Sequence, residues 1–194
     1  MALIKVNTRG SNISAGFGNL TAYNATSAGN TIPTGATKLL FMIVGGTGGG
    51  AASFNVNGNA GQDSSVTYNS VTYTASAGLG AYAADGSIGT SGVQAYVAAS
   101  HQGGSGSGAF VITGGGLPGG QSGQTVAASY ACNPDAGVNS GMVIKQVDVV
   151  SGQTTYDVVV GTGGTGVQST YNNDTCTGAN GLTGYVLVYD NGTG

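Results

Sequence analysis

Three observations predict an all-β fold for this chain of 194 residues. Runs rich in Val, Thr and Tyr recur from end to end and are separated by glycine-rich stretches. No segment combines the 3.6-residue apolar period of a helix with capping residues. Gly occupies 39 positions, about three times its usual share, whereas Pro occupies only 3, which excludes collagen.

The strand signals differ in character along the chain. The apolar run 39–44 follows a turn at 33–35, and its lack of alternation predicts a strand buried on both faces. Residues 65–68 and 71–74 alternate polar with β-branched or aromatic residues around Asn69-Ser70, which predicts a hairpin. Further strands are expected at 109–113, 142–144, 147–150, 155–160 and 185–189.

Many glycine runs, such as 45–50 and 161–166, lie between strand signals. Flexible linkers separate domains and do not interrupt one core so often. Gly loses the most backbone entropy on folding, so a folded chain needs a packing reason for these runs. Without Cβ atoms, extended or polyproline-II segments can pack side by side through their amides. We therefore expect a glycine-rich β-sandwich with packed polyglycine or polyproline-II-like segments. It would span residues 31–194, after a polar arm or attachment segment at 1–30.

Charge is scarce: charged residues make up 6% of the chain. Four dispersed bases cannot neutralise a nucleic-acid backbone or form a basic membrane patch, so neither partner is expected. The longest apolar run is too short to span a bilayer, and the N-terminus lacks the apolar core of a signal peptide. We expect synthesis in a cytoplasm and release by another route, such as lysis. The bases are Lys5, Arg9, Lys38 and Lys145.

Motifs for catalysis are missing, so the chain is predicted not to be an enzyme. The single histidine, His101, follows Ser100, but no Gly-x-Ser-x-Gly elbow surrounds that serine. The glycine run 161–166 follows a strand without the helix of a dinucleotide site. The seven Asp residues show no spacing that suggests a catalytic pair or a calcium loop. No cofactor or metal is expected.

Two cysteines, Cys132 and Cys176, lie in polar, turn-like stretches. They show no zinc-ligand spacing. A disulfide between them would close a loop of roughly 44 residues and contribute about 3–4 kcal/mol by the loop-entropy argument. The alternative is two unpaired thiols, because a protein assembled in a cytoplasm meets an oxidant only late.

Four motifs, at residues 32–46, at 151–166, at 64–66 with 73–76 and at 181–189, together resemble the glycine-rich domain of bacteriophage tail-fibre, or adhesin, proteins. Residues 32–46 are similar to its opening, where a hydrophobe-Pro-x-Gly turn leads into a strand and a glycine run. Residues 151–166 resemble its Gly-Gln turn, Tyr-x-Val-x-Val strand and Gly-x-Gly-Gly-x-Gly run. Residues 64–66 with 73–76, and residues 181–189, look like its Ser-Ser strand and its closing strand.

The resemblance implies a non-enzymatic virion protein on the particle surface, most simply a fibre tip that binds a host glycan or outer-membrane protein. It also implies other virion proteins as partners, with homo-oligomerisation or attachment to a larger assembly. The alternative is a capsid decoration protein or a structural subunit of an appendage or filament. An ice-binding role ranks last, because regular Thr-x-Thr rows are absent from the sequence.

Five aromatic residues lie in Gly-, Ala- or Asn-rich stretches and not on predicted strands. Tyr among Ser, Gly and Asn is typical of adaptable binding surfaces. The alternative is that these rings fix loops to the domain. We take them as the candidate receptor-binding residues: Phe54, Tyr82, Tyr96, Tyr130 and Tyr171.

Overall fold

A computed structural model describes residues 5–7, 17–50, 57–81, 110–112, 122–123, 137, 139–171 and 174–193. Within these residues the protein is all-β and contains no helix, as the sequence predicts. The strands are β1 (Lys5–Asn7), β2 (Asn19–Tyr23), β3 (Ser27–Thr31), β4 (Lys38–Val44), β5 (Ser64–Tyr68), β6 (Val71–Ala75), β7 (Phe110–Ile112), β8 (Ser122–Gly123), β9 (Met142–Asp148), β10 (Thr155–Val159), β11 (Gln168–Tyr171), β12 (Asp174–Gly178) and β13 (Tyr185–Asp190).

Two antiparallel sheets form a sandwich. The larger has the order β1-β2-β13-β4-β9-β7, and the smaller has the order β3-β10-β5-β6. A third, small sheet has the order β11-β12-β8. Side chains from the inner faces of the two large sheets build one core, as sheet-on-sheet packing requires. At its centre the ring of Phe41 lies 6.0–6.3 Å, centroid to centroid, from those of Tyr68, Tyr73 and Tyr156.

Strand β4 shows which part of its apolar run faces this core. Leu39, Phe41 and Ile43 are fully buried, whereas Leu40 and Met42 are only half-buried. The prediction of burial on both faces is therefore wrong for this run. Successive side chains of a strand point to opposite faces, and the outer face of the six-stranded sheet is covered less completely than the inner face.

The sandwich begins earlier in the chain than the sequence suggests. Strand β2 lies between β1 and β13, and β3 pairs with the edge of β10. The boundary expected at residue 30 thus falls inside the sandwich. These strands are polar because they supply little to the core: Tyr23 is their one buried side chain.

The predicted turns are present. Gly35 has φ +78°, and the N–H of Ala36 donates to the carbonyl of Pro33 at 3.1 Å. Asn69 and Ser70 both have positive φ, +47° and +60°, which is the signature of a type I′ hairpin turn between β5 and β6. Residues 142–144 and 147–150, expected as separate signals, belong mainly to the single strand β9.

Six strands continue beyond the same end of the sandwich into glycine-rich segments, which we call the glycine layer. Segments 45–50, 76–81 and 161–167 follow β4, β6 and β10, whereas segments 58–62, 137–141 and 178–184 precede β5, β9 and β13. Residue 138 lies outside the described residues.

Candidate functional site

Segment 45–50 lies at the centre of the glycine layer, and all six of its residues are buried. A Cβ added to Gly48 would overlap the carbonyl of Leu79, and one added to Gly49 would overlap that of Thr165. The segments around 45–50 are equally close to each other, since a Cβ on Gly164 would overlap the carbonyl of Asn59. The layers here touch through main-chain atoms, which is possible only where the side chain is a hydrogen.

Hydrogen bonds within the layer repeat every three residues. The N–H groups of residues 46 and 49 donate to carbonyls 62 and 59, both at 2.9 Å. Those of residues 47 and 50 donate to carbonyls 182 and 179 at 2.9 and 2.8 Å. In the other direction, carbonyls 46 and 49 accept from residues 78 and 81, and carbonyls 47 and 50 accept from residues 164 and 167. Each neighbouring segment is therefore met once per three residues, unlike the two-residue period of a strand.

The order of segments in the layer copies the order of strands in the sandwich. Segment 58–62 bonds to 76–81 on one side and to 161–167 on the other, as β5 lies between β6 and β10. Segment 45–50 bonds to residue 141 and to 178–184, as β4 lies between β9 and β13. The two sheets thus continue as two layers of glycine-rich segments. Side chains fill the space between the sheets of the sandwich, whereas the main chains of the two glycine-rich layers are in direct contact.

At one end of the glycine layer, which we call the distal end, the ends of several glycine-rich segments meet and hydrogen-bond to one another. Ala81 N–H donates to the carbonyl of Gly49, and Gly58 N–H donates to that of Ala81, both at 2.9 Å. Val167 N–H donates to the carbonyl of Gly50 at 3.3 Å. A Cβ on Gly137 would meet the carbonyls of residues 48 and 49. Three residues that directly flank segments 51–56, 82–109 and 124–136 therefore lie at this end, namely Gly50, Ala81 and Gly137. The hairpin β11–β12 begins and ends there as well.

Of the five candidate aromatics, the described residues include one. Tyr171 is the last residue of β11, opposite Asp174, whereas the sequence places it in a loop. The other four, Phe54, Tyr82, Tyr96 and Tyr130, lie outside the described residues, as does Cys132. Cys176 lies on β12, opposite Ser169, and its pairing with Cys132 stays a prediction.

At the opposite end of the molecule, which we call the proximal end, the start of β2 and the turn at 33–35 meet the residues that follow β13. Asn19 Nδ2 donates to Asp190 Oδ1 at 2.9 Å and to the carbonyl of Gly192 at 2.8 Å. Thr193 N–H donates to the carbonyl of Thr34 at 3.2 Å. Asp190 is buried, and its Oδ1 also accepts from Gly192 N–H at 2.9 Å.

Of the eight described charged residues, seven lie on or next to strands of the sandwich, and the eighth, Asp174, lies on β12. Lys38 and Asp148 form an exposed ion pair at 3.3 Å. Asp157 accepts from Gly29 N–H, and Asp63 from Ala77 N–H, both at 2.7 Å. Within the described part of the chain, no three His, Cys, Asp or Glu side chains come together as a metal site would require. The described residues also contain no apolar helix of bilayer-spanning length.

An uncharged polar surface runs along one edge of the glycine layer, and we call it the polar ladder. Its residues are all exposed and recur every third position on three adjacent segments. Gln62 N–H donates to the carbonyl of Thr162 at 2.9 Å, and Asn59 N–H donates to that of Thr165 at 3.1 Å. Each of these pairs of neighbouring residues forms one rung of the polar ladder. The polar ladder comprises Asn59, Gln62, Thr162, Thr165, Asn180 and Thr183.

The side chains of the Asn59–Thr165 rung, and that of the adjacent Asn180, form hydrogen bonds within the glycine layer. Asn59 Nδ2 donates to Thr165 Oγ1 at 2.6 Å, and Asn180 Oδ1 accepts from Gly166 N–H at 2.9 Å. Gly181 N–H donates to the carbonyl of Gly164 at 2.8 Å and holds the third segment against the second. The polar ladder is absent from the sequence-based candidates. Its signal is the three-residue recurrence of Gly beside Thr, Asn or Gln, a period that differs from those of strands and helices.

The buried tyrosines of the sandwich have a structural role. The hydroxyls of Tyr23 and Tyr156 are 2.9 Å apart, and their rings pack edge to face at 6.2 Å. Burial raises the pKa of both phenols above the usual value near 10. Both therefore stay neutral at physiological pH and share one hydrogen bond between their hydroxyls.

These observations define the class of the molecule: an all-β protein whose described part is a sandwich with a glycine-rich extension. Comparison with protein-family models, with curated proteins and with solved structures finds no match for this chain.

Proposed function

We propose that this chain is a non-enzymatic bacteriophage virion protein, exposed on the particle, and that it serves as a tail-fibre tip that binds the host surface. One observation carries the proposal: segments that hold candidate aromatic residues adjoin described residues at the distal end, where the glycine-rich segments are hydrogen-bonded to one another. A tip protein needs its receptor-binding segments gathered at one end in this way.

The architecture also supports the proposed class. We infer that the segments of the glycine layer are polyproline-II helices, because three residues per turn is the period of that helix and of the hydrogen bonds between segments. Such a layer would hold several loops at fixed spacing on a rigid support, and loops on rigid supports commonly carry binding functions. The loops could then vary without any change in the packed segments.

Adsorption to host cells tests the proposal. The triple variant Tyr82→Ala, Tyr96→Ala and Tyr171→Ala should lose attachment while its circular dichroism spectrum and unfolding midpoint stay those of the parent. A matched control truncates three exposed valines of the sandwich region, Val71, Val150 and Val159, and should bind as the parent does. Equal binding by the tyrosine variant would contradict the proposed role of these loops.

The alternative of a capsid decoration or filament subunit predicts a different copy number. A fibre tip is present in a few copies per particle, whereas decoration needs hundreds. Quantitative mass spectrometry of purified particles, together with labelled-antibody imaging, distinguishes the two. Labelling over the whole capsid would replace the tip proposal with the decoration alternative.

A further inference from the structure

We propose that the polar ladder is a second binding surface and that its ligand is a neutral polysaccharide chain lying along the glycine layer. This inference rests on the proposed function, since it names the chemical class of a host-surface partner. The polar ladder differs in location from the candidate aromatic residues, because it lies along the edge of the glycine layer and consists wholly of described residues.

The first argument is the repeat of the surface. Thr162 and Thr165 are three positions apart in the chain. The same spacing relates Asn59 to Gln62 on one neighbouring segment and Asn180 to Thr183 on the other. In polyproline-II geometry that step is about 9 Å. The polar ladder therefore offers the same kind of hydrogen-bonding group again at a fixed interval. A polymer with a repeating set of hydroxyl groups can match such a surface at more than one point.

The second argument is chemical. Amide groups and hydroxyls each donate and accept hydrogen bonds, which suits sugar hydroxyls, and none of the six residues carries a charge. Asp63, next to Gln62 in the chain, accepts a hydrogen bond from Ala77 N–H at 2.7 Å. An anionic or cationic partner would find no opposite charge in the polar ladder, so the surface complements a neutral partner.

The third argument is that the surface is preorganised. Rungs are fixed by main-chain bonds, from Gln62 to Thr162 at 2.9 Å and from Asn59 to Thr165 at 3.1 Å. The side chains of Asn59 and Thr165 are further joined at 2.6 Å. A ligand therefore meets a fixed main-chain frame and an ordered pair of side chains, Asn59 and Thr165, which lowers the entropic cost of binding at that rung.

Binding of the full chain to immobilised dextran, mannan and galactan tests the inference. We expect retention on at least one of these neutral polysaccharides, with an affinity that changes little up to about 0.5 M NaCl. The variant Thr162→Val, Thr165→Val removes two hydroxyls at nearly constant shape and should weaken that binding about tenfold or more. The control Thr67→Val, Thr72→Val removes a hydrogen-bonded hydroxyl pair, 2.9 Å apart, from the smaller sheet and should bind as the parent does. Thermal unfolding checks that both variants stay folded.

Three results would overturn the inference: retention on none of the polysaccharides, equal binding by the Thr162, Thr165 variant, or equal loss in both variants. Inhibition of ice recrystallisation that depends on Thr162 and Thr165, without polysaccharide binding, would assign the surface to ice instead. Host-cell adsorption separates this inference from the proposed function. If cells bind the parent and the Thr162, Thr165 variant equally, only the ladder inference fails. If polysaccharide binds through the polar ladder but cells do not adsorb the protein, only the proposed function fails.

Discussion

The sandwich and the glycine layer contain the same two layers of chain but hold them together in different ways. In the sandwich, side chains such as Phe41 and Tyr156 fill the space between the sheets. In the glycine layer, the main chain of 45–50 meets its neighbours directly and bonds to them in several directions. Apolar area stabilises the first region, whereas hydrogen-bond satisfaction and close main-chain packing stabilise the second. Removing side-chain atoms should therefore destabilise the sandwich most, whereas adding atoms should destabilise the glycine layer most.

Truncation in the sandwich gives the largest expected effect. Phe41→Ala should lower the free energy of unfolding by about 3–5 kcal/mol, because the ring is fully buried between two sheets. Leu40→Ala, on the half-buried outer face of the same strand, should cost clearly less. Guanidinium unfolding followed by circular dichroism measures both. Equal losses would mean that the inner face does not dominate the core.

Addition in the glycine layer gives the opposite test. Gly48→Ala should cost about 3 kcal/mol, because its methyl group would overlap the Leu79 carbonyl and lie 2.9 Å from Gly80 N. Gly18→Ala is the control, since a Cβ there meets nothing within 4 Å, and it should change stability by less than about 0.5 kcal/mol. The same unfolding experiment applies. If the two variants are equally stable, residues 45–50 are not packed as described.

Alkaline pH should destabilise the sandwich through its buried tyrosines. Their folded-state pKa values lie above those of the unfolded chain, so stability is unaffected below about pH 10 and falls as pH rises further, because only the unfolded state ionises. The loss approaches about 1.4 kcal/mol per pH unit for each tyrosine. The double variant Tyr23→Phe, Tyr156→Phe should lose less between pH 10 and 11 than the parent. Parallel decline of both proteins would contradict this source of pH dependence.

The smallest effect concerns the turn between β5 and β6. Ser70 has φ +60°, a conformation that costs a non-glycine residue roughly 1 kcal/mol, so Ser70→Gly should stabilise the protein by about 0.5–1 kcal/mol. Gly152→Ala makes the reverse change at φ +86° and should destabilise by a similar amount. Urea midpoints of the two variants should shift in opposite directions. A shift in the same direction would show that backbone conformation does not control these turns.

The sequence predicts the sandwich strands well wherever large side chains face the core. Alternation in 64–68, 71–75 and 155–159 reflects one buried face, so strand period and burial agree. Strands β2 and β3 escape prediction because a single buried side chain, Tyr23, is too little to produce a pattern. The apolar run in β4 leads to the opposite error, an overestimate of burial, since apolar residues also occupy its half-exposed outer face.

The candidate site is harder to predict for a different reason. Aromatic residues in glycine-rich stretches draw attention by composition, and Tyr171 alone among them belongs to the described residues. The polar ladder depends on which outward positions of separate segments become neighbours, such as Asn59 and Thr165, which are 106 residues apart in the chain. That adjacency follows from the pairing of β5 with β10 and cannot be inferred from local composition.

The three-residue repeat of the glycine layer also limits how this sequence can change length. Inserting one residue into 45–50 would shift every later residue by one position in this three-residue repeat of hydrogen bonds. Those residues would then face different neighbouring segments, and larger side chains would arrive where only hydrogen fits. Insertions and deletions inside the layer should therefore survive only in multiples of three. Descendants of one ancestor could then keep glycine spacing while losing nearly all other sequence identity.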